Sequence, residues 1–253
     1  MKRGGIVLAV AILAGAIPAL RWGRPLRDQM QQNSECCQVP FFRNLALSAR
    51  QLRGELQFFA EVGQDIWLTE TVFPGKTTGF FLDVGSGHGT IGSNSRLLEM
   101  KGWTGICIDP FPKYMDGRTC AMVKEVVFDK AGGKVAFKAA GDLGGVADTL
   151  GKWNERAAQA PTVEFTTTTL GDILARQHAP STIDFMSLDV EGAELAALKG
   201  LPLEKYTIGA MTIEHNFEEP KRSDIEKFLQ ARGYRRVHSM KQDDFYLNSS
   251  LRK

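Results

Sequence analysis

Phe80-Phe-Leu-Asp-Val-Gly-Ser-Gly-His-Gly89 is the stretch on which the fold turns. Phe80 to Val84 is apolar except for Asp83 and reads as a buried strand. Gly85, Gly87 and Gly89 then read as a strand-to-helix turn. Glycine at 85 and 87 permits backbone angles closed to other residues and lets a ligand approach the main chain. The spacing Gly87-x-Gly89-x-x-Gly92 fits the dinucleotide fingerprint, and Asp109 follows where that fingerprint places a ribose-binding acid. A nicotinamide-dependent oxidoreductase is therefore one reading.

Asp83 argues for another. A pyrophosphate rests on such a turn because helix N-terminal N–H groups and the helix dipole favour anions, and a carboxylate just ahead of the glycines repels it. S-adenosylmethionine carries no phosphate, has a cationic amino group and sulfonium, and offers a ribose diol. Asp83 suits the cationic methionyl end, and Asp109, closing Gly105-Ile-Cys-Ile-Asp109, suits the diol. The cofactor-binding set read from this pattern is Asp83, Gly85, Ser86, Gly87, Gly89 and Asp109.

A second segment, Ile183-Asp-Phe-Met-Ser-Leu-Asp189-Val-Glu191-Gly192-Ala-Glu194, is an apolar strand ending in acids at a turn, followed by a short helix from Leu195 to Lys199 that Gly200 stops. With it the chain resembles the FkbM-type methyltransferases, a family of S-adenosylmethionine-dependent O-methyltransferases. The matching words are Gly63-Gln-Asp-Ile-Trp67, Gly79 to Gly85, Ser93-Asn94, Gly102 to Pro110, Thr167 to Leu170, Asp184 to Glu194 and Ile213-Glu-His-Asn216. The resemblance runs over residues 60–248. Two departures are an Asp109-Pro110 pair where the family favours Glu-Pro, and Ser86-Gly87-His88 where it often has Ala-Asn. What the resemblance implies is methyl transfer to a hydroxyl of a sugar, polysaccharide or secondary metabolite. A membrane-tethered methyltransferase-like scaffold without turnover is the rival from a different functional class.

Strands and helices alternate, so the fold class is α/β, a Rossmann-like seven-stranded class I methyltransferase sheet preceded by an N-terminal hydrophobic helix. The expected strands are Gly79–Val84, Thr104–Asp109, Glu125–Phe128, Ile183–Asp189 and Ile208–Glu214, with a first helix from Gly89 to Gly102. Val135–Ala139, after the turn at 131–133, is expected to form a hairpin with the third strand. Gly141–Gly145 reads as an excursion near the rim of the site. Ser223-Asp-Ile-Glu226 has the form of a capping box for a helix ending at Gly233. Tyr234–Met240 and Phe245–Leu247 read as a closing antiparallel hairpin.

The 253 residues hold 31 basic and 29 acidic side chains, with five of the basic ones (Lys2, Arg3, Arg21, Arg24, Arg27) near the start. The remaining body is slightly acidic, which excludes a duplex nucleic-acid footprint. Gly4–Leu20 is uncharged and aliphatic between Lys2-Arg3 and three arginines, so residues 1–22 read as a single-pass membrane anchor or signal-anchor, with a cleaved signal peptide as the alternative. Residues 23–42 read as a linker and 43–253 as the methyltransferase domain. Because the methyl donor is made in the cytosol, the domain is expected on that face. Ala11, Gly15 and Ala19 form a small-residue ridge suited to helix pairing and hence to a homo-oligomer. The other expected partner is a small-molecule or glycan acceptor. Leu45, Leu52, Leu56 and Phe59 suggest an amphipathic helix. The four cysteines do not make a disulfide framework; Cys107 reads as a small core residue. Asn248-Ser-Ser250 is a formal glycosylation acceptor.

In open parallel sheets ligands sit beyond the carboxyl ends of the strands, and Asp83, Asp109, Asp189, Glu191, Glu214 and His215 all fall at such ends. The catalytic candidates are His215, whose intrinsic pKa lies near neutrality, Asp189 and Glu191. A magnesium site drawn from Asp189, Glu214 or Asn216 is an alternative; the primary reading assigns no metal.

Overall fold

In the computed structural model, residues 58–250 are described. The anchor at 1–22, the linker at 23–42 and all but the last residues of the helix expected over Leu45–Phe59 lie outside them. Among the described residues no helix is long and apolar enough to cross a membrane.

The strands of the main sheet are β1 (Phe80–Val84), β2 (Thr104–Ile108), β3 (Ala121–Val123), β8 (Thr182–Leu188), β9 (Thr207–Glu214), β10 (Tyr234–Met240) and β11 (Asp243–Asn248). They lie in the order β10-β11-β9-β8-β1-β2-β3. All neighbours are parallel except β11, which runs antiparallel to both β9 and β10. Seven strands and the closing hairpin agree with the expectation from the sequence, but the edge strand is Ala121–Val123 and not Glu125–Phe128.

Side-chain alternation along the strands builds a core on each face. Leu82, Val84, Ile106, Ile108, Met186, Leu188, Met211 and Ile213 pack against the helices α4 (Leu170–Arg176), α5 (Glu194–Lys199) and α6 (Lys221–Gln230). Phe81, Cys107, Phe185, Ala210, Phe245 and Leu247 point the other way, against Trp67, Leu68, Leu98 and Trp103. Trp67 and Leu68 come from a wide helical turn, Trp67–Val72, that continues the short helix α1 (Gln64–Ile66), and Leu98 comes from α2 (Arg96–Met100).

A second sheet, absent from the sequence reading, contains β4 (Val126–Val127), β5 (Lys134–Lys138), β6 (Gly145–Val146) and β7 (Thr162–Thr168) in the order β4-β7-β5-β6. The short helix α3 (Asn154–Ala157) lies between β6 and β7 in the chain. The stretch from Ala121 to Phe128, broken by Lys124-Glu125, is thus shared: Ala121–Val123 is the edge of the main sheet, and Val126–Val127 starts the second. Val135–Ala139 does not make a hairpin with Glu125–Phe128, because β7 inserts between them.

The helix expected over Gly89–Gly102 is shorter than its pattern. Ser93 Oγ accepts from Arg96 N, Asn94 Nδ2 donates to Ser187 Oγ at 2.8 Å and His88 Nδ1 accepts from Thr90 N and Ile91 N. Those side chains hold residues 88–95 in turns, and regular helix begins only at Arg96. The capping box is also displaced. Ser223 lies inside α6 and its N–H and hydroxyl donate to Glu219, so the carboxylate cap comes from outside the helix. Cys107 is buried as expected but bonded to Cys120, because the β2–β3 pairing brings their Cα atoms to 5.8 Å.

Phe185 has no exposed surface and sits in the middle of the second core. Phe185→Ala is expected to cost about 3–5 kcal/mol, measured by urea denaturation; an unchanged midpoint would show that this face of the sheet is not the packed core described.

Candidate active site

β1, β2 and β8 are neighbours and end at the same rim, where a cleft of about 530 Å³ opens. Gly85 ends β1 with φ +83°, and a Cβ there would lie 1.6 Å from the Asp189 carbonyl oxygen, so no other residue fits. Gly87 also takes a left-handed φ, of +45°. Gly85 N and Ser86 N both donate to Ile108 O, which ties the turn to the end of β2.

Asp109 lines the cleft on the β2 side. Its Oδ2 accepts from Gly87 N at 2.9 Å and its Oδ1 from Phe111 N at 2.7 Å. Burial raises its pKa, against these two hydrogen bonds. Each carboxylate oxygen keeps a lone pair for a ligand hydroxyl. Ser86, Gly87 and Val84 line the same wall, and Ile108, Phe111, Val126, Val127, Phe137 and Val146 make the apolar part of the cleft. Ser86 Oγ is buried without a hydrogen-bond partner. The excursion expected near the rim is there: Gly141, Asp142 and Gly144 line the cleft.

Asp83 stands elsewhere. It projects to the face of β1 that carries Phe81, is 3 % exposed, accepts a hydrogen bond from Ser95 Oγ and is not among the cleft-lining residues. Burial raises its pKa, with Ser95 and Arg118 opposing.

Asp189 and Glu191 line the cleft on the β8 side. Their turn is forced: Glu191 has φ +52°, Gly192 has φ +111°, and a Cβ on Gly192 would meet Thr149 O at 1.8 Å. Glu194 closes the turn from within α5, its Oε1 accepting from Val190 N and Gly192 N. Glu214, at the end of β9, brings a carboxyl oxygen within 4.8 Å of one of Asp189. Asn216 Nδ2 donates to both Glu214 and Glu191. Desolvation, offset in part by Glu214 and reinforced by Glu194, pushes Asp189 up to about 7. Desolvation and Asp189 push Glu191 up to about 8. Glu214 is raised furthest, by burial and then by the Asp189 and Glu191 charges, so it keeps its proton beside Asp189. Oxygens of Asp189, Glu194 and Glu214 lie within 4.8 Å of one another and could share a divalent cation as well as a proton. Lys221 Nζ, 3.1 Å from Glu194 Oε2, already supplies one positive charge.

His215 is corrected by the structure. It does not line the cleft; it is 1 % exposed and sits in a small recess with Arg222, Asp244 and Tyr246. Its Nδ1 accepts from Phe217 N at 2.9 Å, and burial lowers its pKa to about 4, so the ring is neutral at physiological pH. It cannot serve as the base at this cleft.

The sequence reading missed the support beneath the acids. Gln64 donates to Asp243, which burial and the Asp189 charge push up to about 8, and Asp65 accepts from Phe59 N and Ala60 N. The signal was the Gly63-Gln-Asp-Ile-Trp67 word, quoted without a role.

The irregular turns at 88–95 place no helix N-terminus directly after the glycines, and α2 is five residues long. That removes the anion site a dinucleotide pyrophosphate needs. The sheet order and a rim bearing acids on β2, β8 and β9 are consistent with a methyltransferase of the Rossmann-like class. A family model, the methyltransferase FkbM domain, matches residues 83–236. The chain belongs to the FkbM methyltransferase family. No match was found among curated proteins.

Asp189, Glu191 and Glu214 have folded-state pKa values above those of the unfolded chain, so their contribution to stability is complete at acid pH and lost as pH rises through about 7–8. Above about pH 7.5 the histidines of the unfolded chain have lost their protons, leaving the acids to dominate. The thermal midpoint is expected to fall between about pH 7.5 and 9. Glu214→Gln, which keeps a donor without needing a proton, is expected to raise the midpoint at the upper pH by about 5 °C and much less at the lower. Equal midpoints for variant and parent at both values would contradict the protonated Glu214.

Proposed function

We propose that this protein is an S-adenosylmethionine-dependent O-methyltransferase acting on a hydroxyl of a sugar, polysaccharide or secondary metabolite. The observation that carries the reading is one cleft bearing Asp109 on the β2 side and the Asp189–Glu191 turn on the β8 side of the Gly85 turn. The donor set fits: a carboxylate with free lone pairs suits a ribose diol, the apolar walls suit a purine face, and Ser86 Oγ is a buried hydroxyl in need of a partner. When bound, S-adenosylmethionine supplies a methyl group activated by a sulfonium.

The chain's own contribution is alignment and proton removal. Asp109 and the glycine turn fix the donor side, and positioning accounts for much of the acceleration of such an in-line displacement. Asp189, beside the protonated Glu214, accepts the proton of the acceptor hydroxyl; general-base help of this kind contributes about 10²–10⁴-fold. Glu191, held by Asn216, is placed to hydrogen-bond the acceptor. The apolar walls from the second sheet keep water from the reacting atoms.

Asp109→Ala is expected to weaken S-adenosylhomocysteine binding by about ten- to a hundredfold, the loss of one or two charge-assisted hydrogen bonds. Calorimetry showing unchanged affinity in a folded variant would reject the ribose assignment. With an acceptor in hand, kcat/KM should rise with pH through about 7, because the base works ionised. Asp189→Asn should abolish that limb and slow single-turnover transfer by about 10²–10⁴-fold at nearly unchanged donor affinity. A parental rate in that variant would remove Asp189 from the chemistry.

A further inference from the structure

The wall facing the glycine turn is a closed loop. Cys107, in β2, is bonded to Cys120, just before β3, 13 positions on. Between them lie Asp109, Phe111 and Lys113, all lining the cleft. The loop grips the glycine turn through its main chain: Lys113 N donates to Gly87 O at 2.8 Å, Gly89 N to Lys113 O at 2.9 Å, and Gly87 N to the Asp109 carboxylate.

Arg118, two residues before Cys120, joins the loop to the far side of the same turn. Its side chain is 2 % exposed. Nη1 donates to Gly89 O and Ser93 Oγ, each at 3.2 Å, and Nη2 to Ser95 Oγ at 2.6 Å and to Cys107 Sγ at 3.4 Å. Nε donates to Glu99, whose other oxygen accepts from Thr119 N and Cys120 N. Hydrogen bonds to Arg118 and to these amides hold the Glu99 pKa down against its burial. Every donor of the guanidinium fork that this network uses goes to the turn, to α2 or to the bridge itself. Its neighbour Cys120 is covalently fixed to a β2 sulfur without exposed surface.

We propose that Arg118 is a positioning residue for the donor-binding turn and that the Cys107–Cys120 bridge controls it, so that reduction of the bridge weakens donor binding. The inference rests on the donor reading above. Cys120 is half-buried, so a dithiol can attack the bridge from that side. The dithiol gives two electrons and two protons; the S–S bond breaks, two thiols form, and the reductant leaves as its own cyclic disulfide. The loop from Asp109 to Thr119 then loses its covalent closure and keeps only the β2–β3 pairing that begins at Ala121, and Arg118 loses the covalent anchor two residues away. Asp109 and the Lys113 main chain, on the same loop, lose their fixed approach to Gly87.

The test uses the full chain carrying Cys36→Ser and Cys37→Ser, which leaves Cys107 and Cys120 as its only cysteines. S-adenosylhomocysteine affinity is measured by calorimetry after oxidation and after treatment with a dithiol, with peptide mass mapping of the bridge in each state. Reduction is expected to weaken binding about tenfold, an ordinary coupling between two sites. Adding Cys120→Ser should give the weak affinity in both states. Arg118→Lys in the oxidised protein should reproduce the weak affinity with the bridge intact, which a loss of overall fold would not do selectively. Affinities within about twofold in the two states, or mapping that finds no Cys107–Cys120 bond after oxidation, would overturn the proposal. Parental affinity in Arg118→Lys would overturn its positioning role. Failure of the oxidised protein to bind S-adenosylhomocysteine at all would overturn the donor reading itself, and this inference with it.

Discussion

The contact between the α-carbon of Gly85 and the carbonyl oxygen of Asp189 sets the geometry of everything around it. β1 and β8 run parallel in a register that pairs Val84 with Leu188, so their two turns leave the sheet side by side with no room for a Cβ between them. The glycine turn and the acid turn are therefore built on one shared step of the sheet. A shift of either strand by one residue would reverse the faces of its side chains. It would also put a side chain where the two main chains now touch.

The same closeness explains the charge pattern at the rim. β8 and β9 are neighbours, so Asp189 and Glu214 leave the sheet one strand apart and Glu191 follows in a turn pressed against them. Three carboxylates this near one another, Glu214 buried and Asp189 and Glu191 half-buried, cannot all ionise. The structure answers with a proton on Glu214, amide donors from Asn216 and the Lys221 ammonium beyond Glu194. The result is a carboxylate at Asp189 poised near neutrality, without a histidine.

Much of the frame was legible because it depends on short-range pattern. β1, β2, β8 and β9 are apolar runs ended by acids and glycines, and all four lie within a residue or so of their expected limits. What escaped depends on neighbours that only folding supplies. His215 follows a strand as expected, but its environment of Arg222, Asp244 and Tyr246 comes from α6 and β11, and burial there removes the basicity its residue type promised. The Cys107–Cys120 bond needs the β2–β3 pairing, which the sequence reading had assigned to Glu125–Phe128 instead. The first helix failed because Ser93, Asn94 and Ser95 carry side chains that compete for backbone and neighbouring polar groups, a choice that hydrophobic spacing does not register.

The second sheet has a property that its role as a wall does not require. Its first and last strands in the chain, β4 and β7, are adjacent and parallel, with Val127 opposite Thr168. The chain leaves the main sheet at β3 and rejoins it through α4 at β8, and the stretch from β4 to β7 is closed on itself by that pairing. Such a segment is a cassette. A change in its length leaves the register of the strands that carry Gly85, Asp109 and Asp189 untouched. Changes to the wall and changes to the rim acids are thereby separable along the chain.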